Sequence, residues 1–128
     1  MWEWFCYDDN QEDDLWSRWY HGSSDAAQAR HDVVLSYLEP RNANEWREPY
    51  TKALDNGLVE VRIHDGQVQH RLIGFYGPER LQFTFLISCT HKQNVYAPPD
   101  ALKTAAKRKK DIEDGAASVR KSKRPEKA

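Results

Sequence analysis

Residues 58–76, LVEVRIHDGQVQHRLIGFY, decide the fold that we predict for this chain of 128 residues. Two runs of alternating apolar and polar residues flank Asp65-Gly66, a dipeptide that favours a β-hairpin turn. A two-residue loop pairs Glu60 with Arg71 and leaves Arg62 on the same face of the hairpin. The stretch therefore predicts a sheet whose polar face carries two arginines.

A third strand, residues 81–89, follows the Gly77-Pro78 turn signal and completes a three-stranded unit. Alternation places an apolar set on one face: Val59, Val61, Ile63, Val68, His70, Leu72, Gly74, Phe83, Phe85 and Ile87. The other face collects a polar set that continues along the last strand: Glu60, Arg62, His64, Gln69, Arg71, Gln82, Thr84, Ser88, Thr90 and Lys92. A solvated polar face is common in antiparallel sheets. Arginine, however, is the side chain that binds phosphate with two parallel hydrogen bonds.

The rest of the chain predicts helices on either side of this unit. Residues 2–8 read as a strand, and helical spacing begins at Leu15 and again over residues 26–38, where Asp25 is the expected cap. Residues 40–57 read mostly as loop, and a last helix runs from about Pro99 to Gly115. We predict an α+β fold with a small, mainly antiparallel sheet, two N-terminal helices and one C-terminal helix. Residues 1–115 form the single domain, and the basic residues 116–128 are expected to be disordered.

Charge divides unevenly along the chain, with a net −7 over residues 1–56 and +6 over residues 57–128. Such a chain can present one basic surface to a polyanion. No apolar run is long enough to span a membrane and the N-terminus does not resemble a signal peptide, so a cytoplasmic protein is expected. Neither cysteine belongs to a metal-binding motif, and we expect no metal and no cofactor.

Three segments carry a family likeness: PYTKALDNGLVEVR at 49–62, HRLIGF at 70–75 and THKQNVYAP at 90–98. They resemble toxins of the RelE/HigB superfamily, with the phage-related HigB-like branch the nearest. The resemblance implies a RelE-like fold and the toxin of a type II toxin–antitoxin pair. Such a toxin is a metal-independent, ribosome-dependent mRNA endonuclease, in which the RNA 2′-OH attacks the adjacent phosphate. The implied partners are mRNA on the ribosome and a cognate antitoxin, often of helix-turn-helix type.

The resemblance also assigns site residues. Arg62 and Arg71 would hold the scissile phosphate, Lys92 would add positive charge, and Tyr96 would stand near the 2′-OH. Glu60, His64 and His91 are candidate proton carriers. The candidates for RNA binding are Lys52, His64, Lys103, Lys107 and Arg108.

One alternative stays open at the level of sequence. Gln93 and Asn94 occupy a segment that is more basic in the HigB-like toxins. The chain could therefore be a catalytically weak, toxin-like module of phage origin that binds RNA or a regulatory protein without cutting.

Overall fold

The computed structural model describes residues 1–127, in which three helices pack against one seven-stranded sheet. The helices are α1 (Leu15–His21), α2 (Asp25–Leu38) and α3 (Ala101–Glu113). The strands are β1 (Glu3–Tyr7), β2 (Thr51–Ala53), β3 (Val59–His64), β4 (Gln69–Tyr76), β5 (Gln82–Lys92), β6 (Val95–Ala97) and β7 (Val119–Ser122). The predicted α+β class, with two helices before the main strands and one after them, is confirmed.

The sheet has the order β2-β3-β4-β5-β1-β7, and β6 pairs with the end of β5. β1 runs parallel to β5, while the other neighbouring strands are antiparallel. The short strands β2 and β6 lie in stretches that the sequence predicted as loop or connection. Each is three residues long, too short for a periodic pattern to reveal.

Two cores form because the sheet is covered on both faces. α1 and α2 pack on one face over an aromatic cluster that includes Trp4, Trp16 and Phe85. α3 packs on the other face, where Ala101 and Ala105 meet Ile73 and other apolar side chains. Small residues at these two helix positions allow α3 to approach the strands closely, and the helix covers part of the face that carries the arginines.

Side-chain caps explain where the first two helices begin. Asp14 caps α1 by accepting a hydrogen bond from Ser17 N, and Ser24 caps α2 by accepting one from Ala27 N. The second cap corrects our expectation by one residue, since Asp25 lies in the first turn of the helix. A negative charge at that position is still favourable against the helix dipole.

The β3–β4 loop has four residues instead of the expected two. The Asp65 carboxylate accepts hydrogen bonds from the backbone N–H groups of Gln67 and Val68, which closes the wider turn. Arg62 therefore lies opposite Arg71, and Glu60 lies opposite Ile73. The pairing moved by two residues and not by one, so each strand keeps its predicted faces.

A β-bulge in β5 overturns part of the predicted face assignment. Ile73 pairs with Ile87 but Gly74 pairs with Phe85, so Leu86 is the extra residue. Gly74 is required beside the bulge, because a Cβ there would lie 2.4 Å from Thr84 O. Beyond the bulge every β5 side chain changes face. Ser88, Thr90 and Lys92 thus lie on the face of α1 and α2, while Ile87, Cys89 and His91 join the face of the arginines.

The C-terminal segment is not the disordered tail that its composition predicted. β7 pairs antiparallel with β1, with Trp4 opposite Ser122. Arg124 then reaches α2, where it donates to Glu39, to the Asp32 carbonyl and to Ser36 Oγ. The domain therefore continues past residue 115. Ala128, the last residue of the predicted tail, lies outside the described residues.

Candidate functional site

The Glu60 carboxylate is the centre of a polar cluster on the α3 face of the sheet. Glu60 is the second residue of β3 and is only 3% exposed. Four side chains converge on it or on its partners: Arg62, Arg71, Tyr96 and Glu48. A buried carboxylate is tolerated only where charges and hydrogen bonds compensate its lost hydration. Glu60 therefore organises the groups around it.

Arg62 is the more accessible of the two arginines. Its Nε donates to Glu60 at 2.8 Å, and its Nη1 donates to Glu48 at 2.8 Å. The side chain is 25% exposed, and Nη2 is not hydrogen-bonded to any of the described residues. Desolvation lowers the pKa of Arg62, but Glu60 and Glu48 outweigh it and raise the pKa above the usual value. Arg62 can thus offer a permanent positive charge and a free donor to an incoming anion.

Arg71 lies deeper and is held by its surroundings. Nη1 donates to the His70 carbonyl and Nη2 to Gln69 Oε1. Nε lies 2.9 Å from Glu60 Oε1, but the N–H is not aimed at the oxygen, so the contact is an ion pair without a hydrogen bond. Burial lowers the pKa of Arg71. In this rotamer Arg71 offers little to a ligand at the surface.

Tyr96 of β6 closes the cluster from the side of α3. Its hydroxyl donates to the second oxygen of Glu60, and its ring contacts His91, with 4.8 Å between ring centroids. The loop between β5 and β6 brings Tyr96 directly opposite His91. Burial raises the pKa of Tyr96, and the neighbouring Glu60 charge raises it further, so the phenol stays protonated.

The ionisation state of Glu60 follows from these contacts. Burial alone would raise its pKa, but the Tyr96 hydroxyl and the two guanidinium groups more than reverse that effect, and the pKa is lowered. Glu60 is therefore an anion at neutral pH. Because the single proton of the Tyr96 hydroxyl points at Glu60, the lone pairs of that oxygen remain as acceptors for another donor.

Lys92 does not belong to this cluster. It was predicted beside Arg62 and Arg71, but the bulge in β5 places it on the opposite face of the sheet, at the exposed strand end. The expectation was wrong because it assumed unbroken alternation along β5. His91, the preceding residue, lies on the arginine face and contacts Tyr96 instead.

The residues predicted to bind RNA fall into three groups. Lys52 lies opposite Glu60 across β2 and β3, and His64 lies at the exposed end of β3, so both are on the arginine face. Lys103 and Lys107 are exposed on α3. Arg108 has a structural contact: it donates to Leu86 O at 2.7 Å and lies over the Tyr7 ring.

Two contributors to the site were missed as site residues. Gln69 was expected on this face, but nothing in the pattern indicated that it fixes Arg71. Glu48 lies in a stretch read as loop and reaches Arg62 across 14 positions of sequence. A loop residue whose partner is set by tertiary structure leaves no periodic signal.

Other chemistries find less support around the cluster. Cys89 lies beneath it, with burial and the Glu60 charge raising the pKa of its thiol to about 12, so it is a poor nucleophile at neutral pH. Within residues 1–127, no three His, Cys, Asp or Glu side chains are grouped so as to hold a metal ion.

No helix within the described part of the chain is long and apolar enough to cross a membrane.

The family model described as phage derived protein Gp49-like (DUF891) matches residues 18–110. The chain belongs to this Gp49-like family. The matched range runs from α1 to the last turn of α3 and contains every residue of the Glu60 cluster. β1 and β7, which pair at one edge of the sheet, lie outside the matched range. No curated protein and no solved structure gives a match to the chain.

Proposed function

We propose that this Gp49-like protein is the toxin of a toxin–antitoxin pair and cuts mRNA on the ribosome, with the RNA 2′-OH as nucleophile. The observation that carries the proposal is the hydrogen bond from the Tyr96 hydroxyl to the buried Glu60 carboxylate, beside a partly exposed arginine. Membership of a toxin-like family supports it, as does the resemblance to RelE/HigB toxins. The cytoplasm, where mRNA is translated, is the proposed place of action.

The chemistry begins with Tyr96. A 2′-OH that donates to the free lone pairs of its hydroxyl can pass a proton to that oxygen while the phenol proton moves to Glu60. The 2′-oxygen then attacks the adjacent phosphorus and the bond to the 5′-oxygen breaks. The products are a 2′,3′-cyclic phosphate and a 5′-oxygen that takes up a proton from His91 or from water.

Protonation of Glu60 also changes what the arginines can do. The low pKa of Glu60 makes it a weak base, so taking up a proton is unfavourable in the resting site. A neutral Glu60 no longer holds Arg62 and Arg71 electrostatically, and the phosphate gains negative charge at the same step. Arg62 can then turn to the phosphate, where charge stabilisation typically contributes about 10²–10³ in rate, while Arg71, still held by His70 O and Gln69 Oε1, adds its positive charge from behind.

Regulation by an antitoxin belongs to the same proposal. We propose that a cognate antitoxin covers the Glu60 face, where the free donor of Arg62 favours an acidic or helical partner. The candidate antitoxin is the product of a neighbouring helix-turn-helix reading frame. Co-expression with that neighbour should restore growth if the pair exists. A neighbour that neither binds nor protects would remove this part of the proposal.

A second candidate function rests on the burial of Arg71. This side chain is 8% exposed, with both terminal nitrogens engaged, and Lys92 is on the other face. These features favour a toxin-like module that binds RNA without cutting it. Such a module would retain Arg62 as its contact to phosphate and would need no proton transfer by Tyr96.

The chemistry of the products separates the two candidates. Purified protein is incubated with translating ribosomes, and the mRNA is analysed by primer extension and by its end groups. The endonuclease should give discrete cuts with 2′,3′-cyclic phosphate and 5′-hydroxyl ends, and an mRNA with a 2′-deoxy nucleotide at the cut position should resist. Binding to ribosomes or mRNA without any cut would establish the binding module instead.

A further inference from the structure

A cleft of about 340 Å³ runs between α3 and Tyr7 of β1, outside the Glu60 cluster. Its walls come mainly from six residues: Tyr7, Lys103, Thr104, Lys107, Arg108 and Asp111, with Asp100 at one end. The volume lies in the range of small-ligand sites. β1 pairs with β5 only as far as Phe85, and β6 pairs with β5 only from Thr90 onward. α3 crosses the sheet at the gap between them, and the cleft lies there.

Unused hydrogen-bond donors converge on this cleft. Neither the Tyr7 hydroxyl, the Thr104 hydroxyl nor the Lys103 ammonium is hydrogen-bonded to another of the described residues. Arg108 uses Nη1 to bind Leu86 O, and its guanidinium lies 4.4 Å from the centroid of the Tyr7 ring, which fixes it beside the opening. Its other nitrogens make no hydrogen bond within residues 1–127. The wall therefore offers several unused donors, of which the Arg108 guanidinium is held in place.

Acceptors in the cleft are fewer and partly neutralised. Asp111 forms an ion pair with Lys107 at 2.9 Å, which leaves Asp100 as the carboxylate without such a partner in the described residues. Three cations and two carboxylates give the lining a net positive charge. A lining with excess cations and free hydroxyl donors suits an anion with several oxygens, and phosphate is the common ligand of that type.

We propose that this cleft binds a backbone phosphate of the RNA strand that the Glu60 site acts on, a few nucleotides from the reacting bond. The inference rests on the proposed function for the identity of the polyanion. Asp100 follows Tyr96 by four residues, so their Cα atoms lie within about 15 Å. An RNA strand that leaves Tyr96 can pass the start of α3 and enter the cleft.

Two lysines of α3 provide a matched test. Lys107 and Lys110 are each 74% exposed, and each is paired with an aspartate four residues later at 2.9 Å. Only Lys107 lines the cleft. Lys107→Ala and Lys110→Ala therefore remove the same charge and leave the same kind of unpaired aspartate. Lys103→Ala tests a second cleft cation, while Arg108 is kept because it holds Leu86.

Binding is measured by fluorescence anisotropy with a short single-stranded RNA that is 2′-O-methylated and so cannot be cut, over a range of salt concentrations. Lys107→Ala and Lys103→Ala should each weaken binding several-fold and reduce the slope of log K against log salt by about 0.7, the value for one phosphate on a single strand. Lys110→Ala should leave both the affinity and the slope close to wild type.

Equal losses in Lys107→Ala and Lys110→Ala would overturn the cleft, since they would indicate diffuse attraction to a basic helix. Failure of the wild-type chain to bind the RNA would overturn it as well. Cleavage of ribosome-bound mRNA, measured in parallel, keeps the two proposals separate. If wild type cuts mRNA and the two α3 variants lose RNA affinity equally, the proposed function holds and the cleft does not. If Lys107→Ala alone loses affinity and wild type does not cut mRNA, the cleft holds and the enzyme does not.

Discussion

Arg62 and Arg71 lie directly opposite each other on β3 and β4, and one oxygen of Glu60 lies within 2.9 Å of the Nε atom of both. Two like charges at facing positions of a sheet repel each other, so the arrangement depends on the carboxylate between them. Arg62 reaches solvent from this arrangement and Arg71 does not. One arginine is thus poised for a ligand, and the other mainly holds the site together.

Replacing Glu60 with Gln should destabilise the protein by about 3 kcal/mol, because breaking a buried ion pair leaves Arg71 without compensation. The amide keeps the shape of the side chain, so the loss reports charge and not packing. Urea unfolding at neutral pH measures the change. Glu79→Gln, at an exposed turn position, is the control and should unfold like wild type. Equal stability of the two variants would mean that Arg71 does not need the Glu60 charge.

Arg62→Ala and Lys92→Ala should differ in their effect on mRNA cleavage, although each removes one positive charge near the same strand ends. Arg62 offers a free nitrogen on the Glu60 face, and its loss should reduce cleavage by about 10²–10³. Lys92 lies across the sheet, so its loss should leave the rate at saturation nearly unchanged. The mRNA cleavage rates of both variants are measured with purified ribosomes. A large effect of Lys92→Ala would return that residue to the site.

The sequence allowed much of the fold to be predicted because the signals were local. Alternation marked β3 and β4, and the helices showed their periodicity and ends. The width of the β3–β4 loop was not predictable from Asp65-Gly66, since it depends on how the Asp65 side chain bonds the backbone. The bulge at Leu86 had one local signal, the isolated Gly74 in the facing strand, but a glycine does not show where the extra residue lies. Because the bulge was missed, our prediction placed Lys92 on the wrong face.

Long-range pairing explains the remaining differences. β7 pairs with β1 across more than a hundred positions, and its polar sequence gave no indication of a strand. Within the candidate site, Tyr96 reaches Glu60 across 36 positions. Family resemblance brought Tyr96 into the predicted site, whereas alternation and spacing alone did not. The partner that orients its hydroxyl became visible only in the folded chain.

His31 should make the protein less stable in mild acid. It is fully buried, accepts a hydrogen bond from Trp16 Nε1 and contacts Asp32. Burial lowers its pKa from 6.5 to about 4, although Asp32 opposes the change. The folded chain therefore binds fewer protons than the unfolded chain between these values. Its contribution to stability is complete above pH 6.5 and is lost as the pH falls toward 4, by about 3 kcal/mol in all.

Unfolding free energies of wild type and His31→Gln between pH 7 and 4 test this expectation. The glutamine can still accept from Trp16 but does not titrate, so its profile should be flatter across that window. His64→Gln, at an exposed position, should keep the wild-type slope. Parallel profiles for all three proteins would contradict the assignment to His31.

Arg124 should stabilise the protein by holding the C-terminal segment to α2. Arg124→Ala removes donors to Glu39, Asp32 O and Ser36 and should cost about 1.5–3 kcal/mol, the range for a hydrogen bond that involves a charged group. Thermal unfolding measures the loss, with the exposed Lys123→Ala as the neighbouring control. If both variants melt like wild type, the segment is not fastened by Arg124.

Single-turnover cleavage of ribosome-bound mRNA by Tyr96→Phe tests whether the Tyr96 hydroxyl relays the proton from the RNA 2′-OH to Glu60. The change removes one hydroxyl, the group that joins the buried Glu60 carboxylate to the surface. Tyr76→Phe, at the other end of the same sheet, is the matched control. We expect cleavage to fall by about 10²–10⁴ in Tyr96→Phe, as for the loss of a general acid–base group, with RNA affinity unchanged and Tyr76→Phe fully active. Cleavage by Tyr96→Phe at the wild-type rate would show that the Tyr96 hydroxyl takes no part in the reaction.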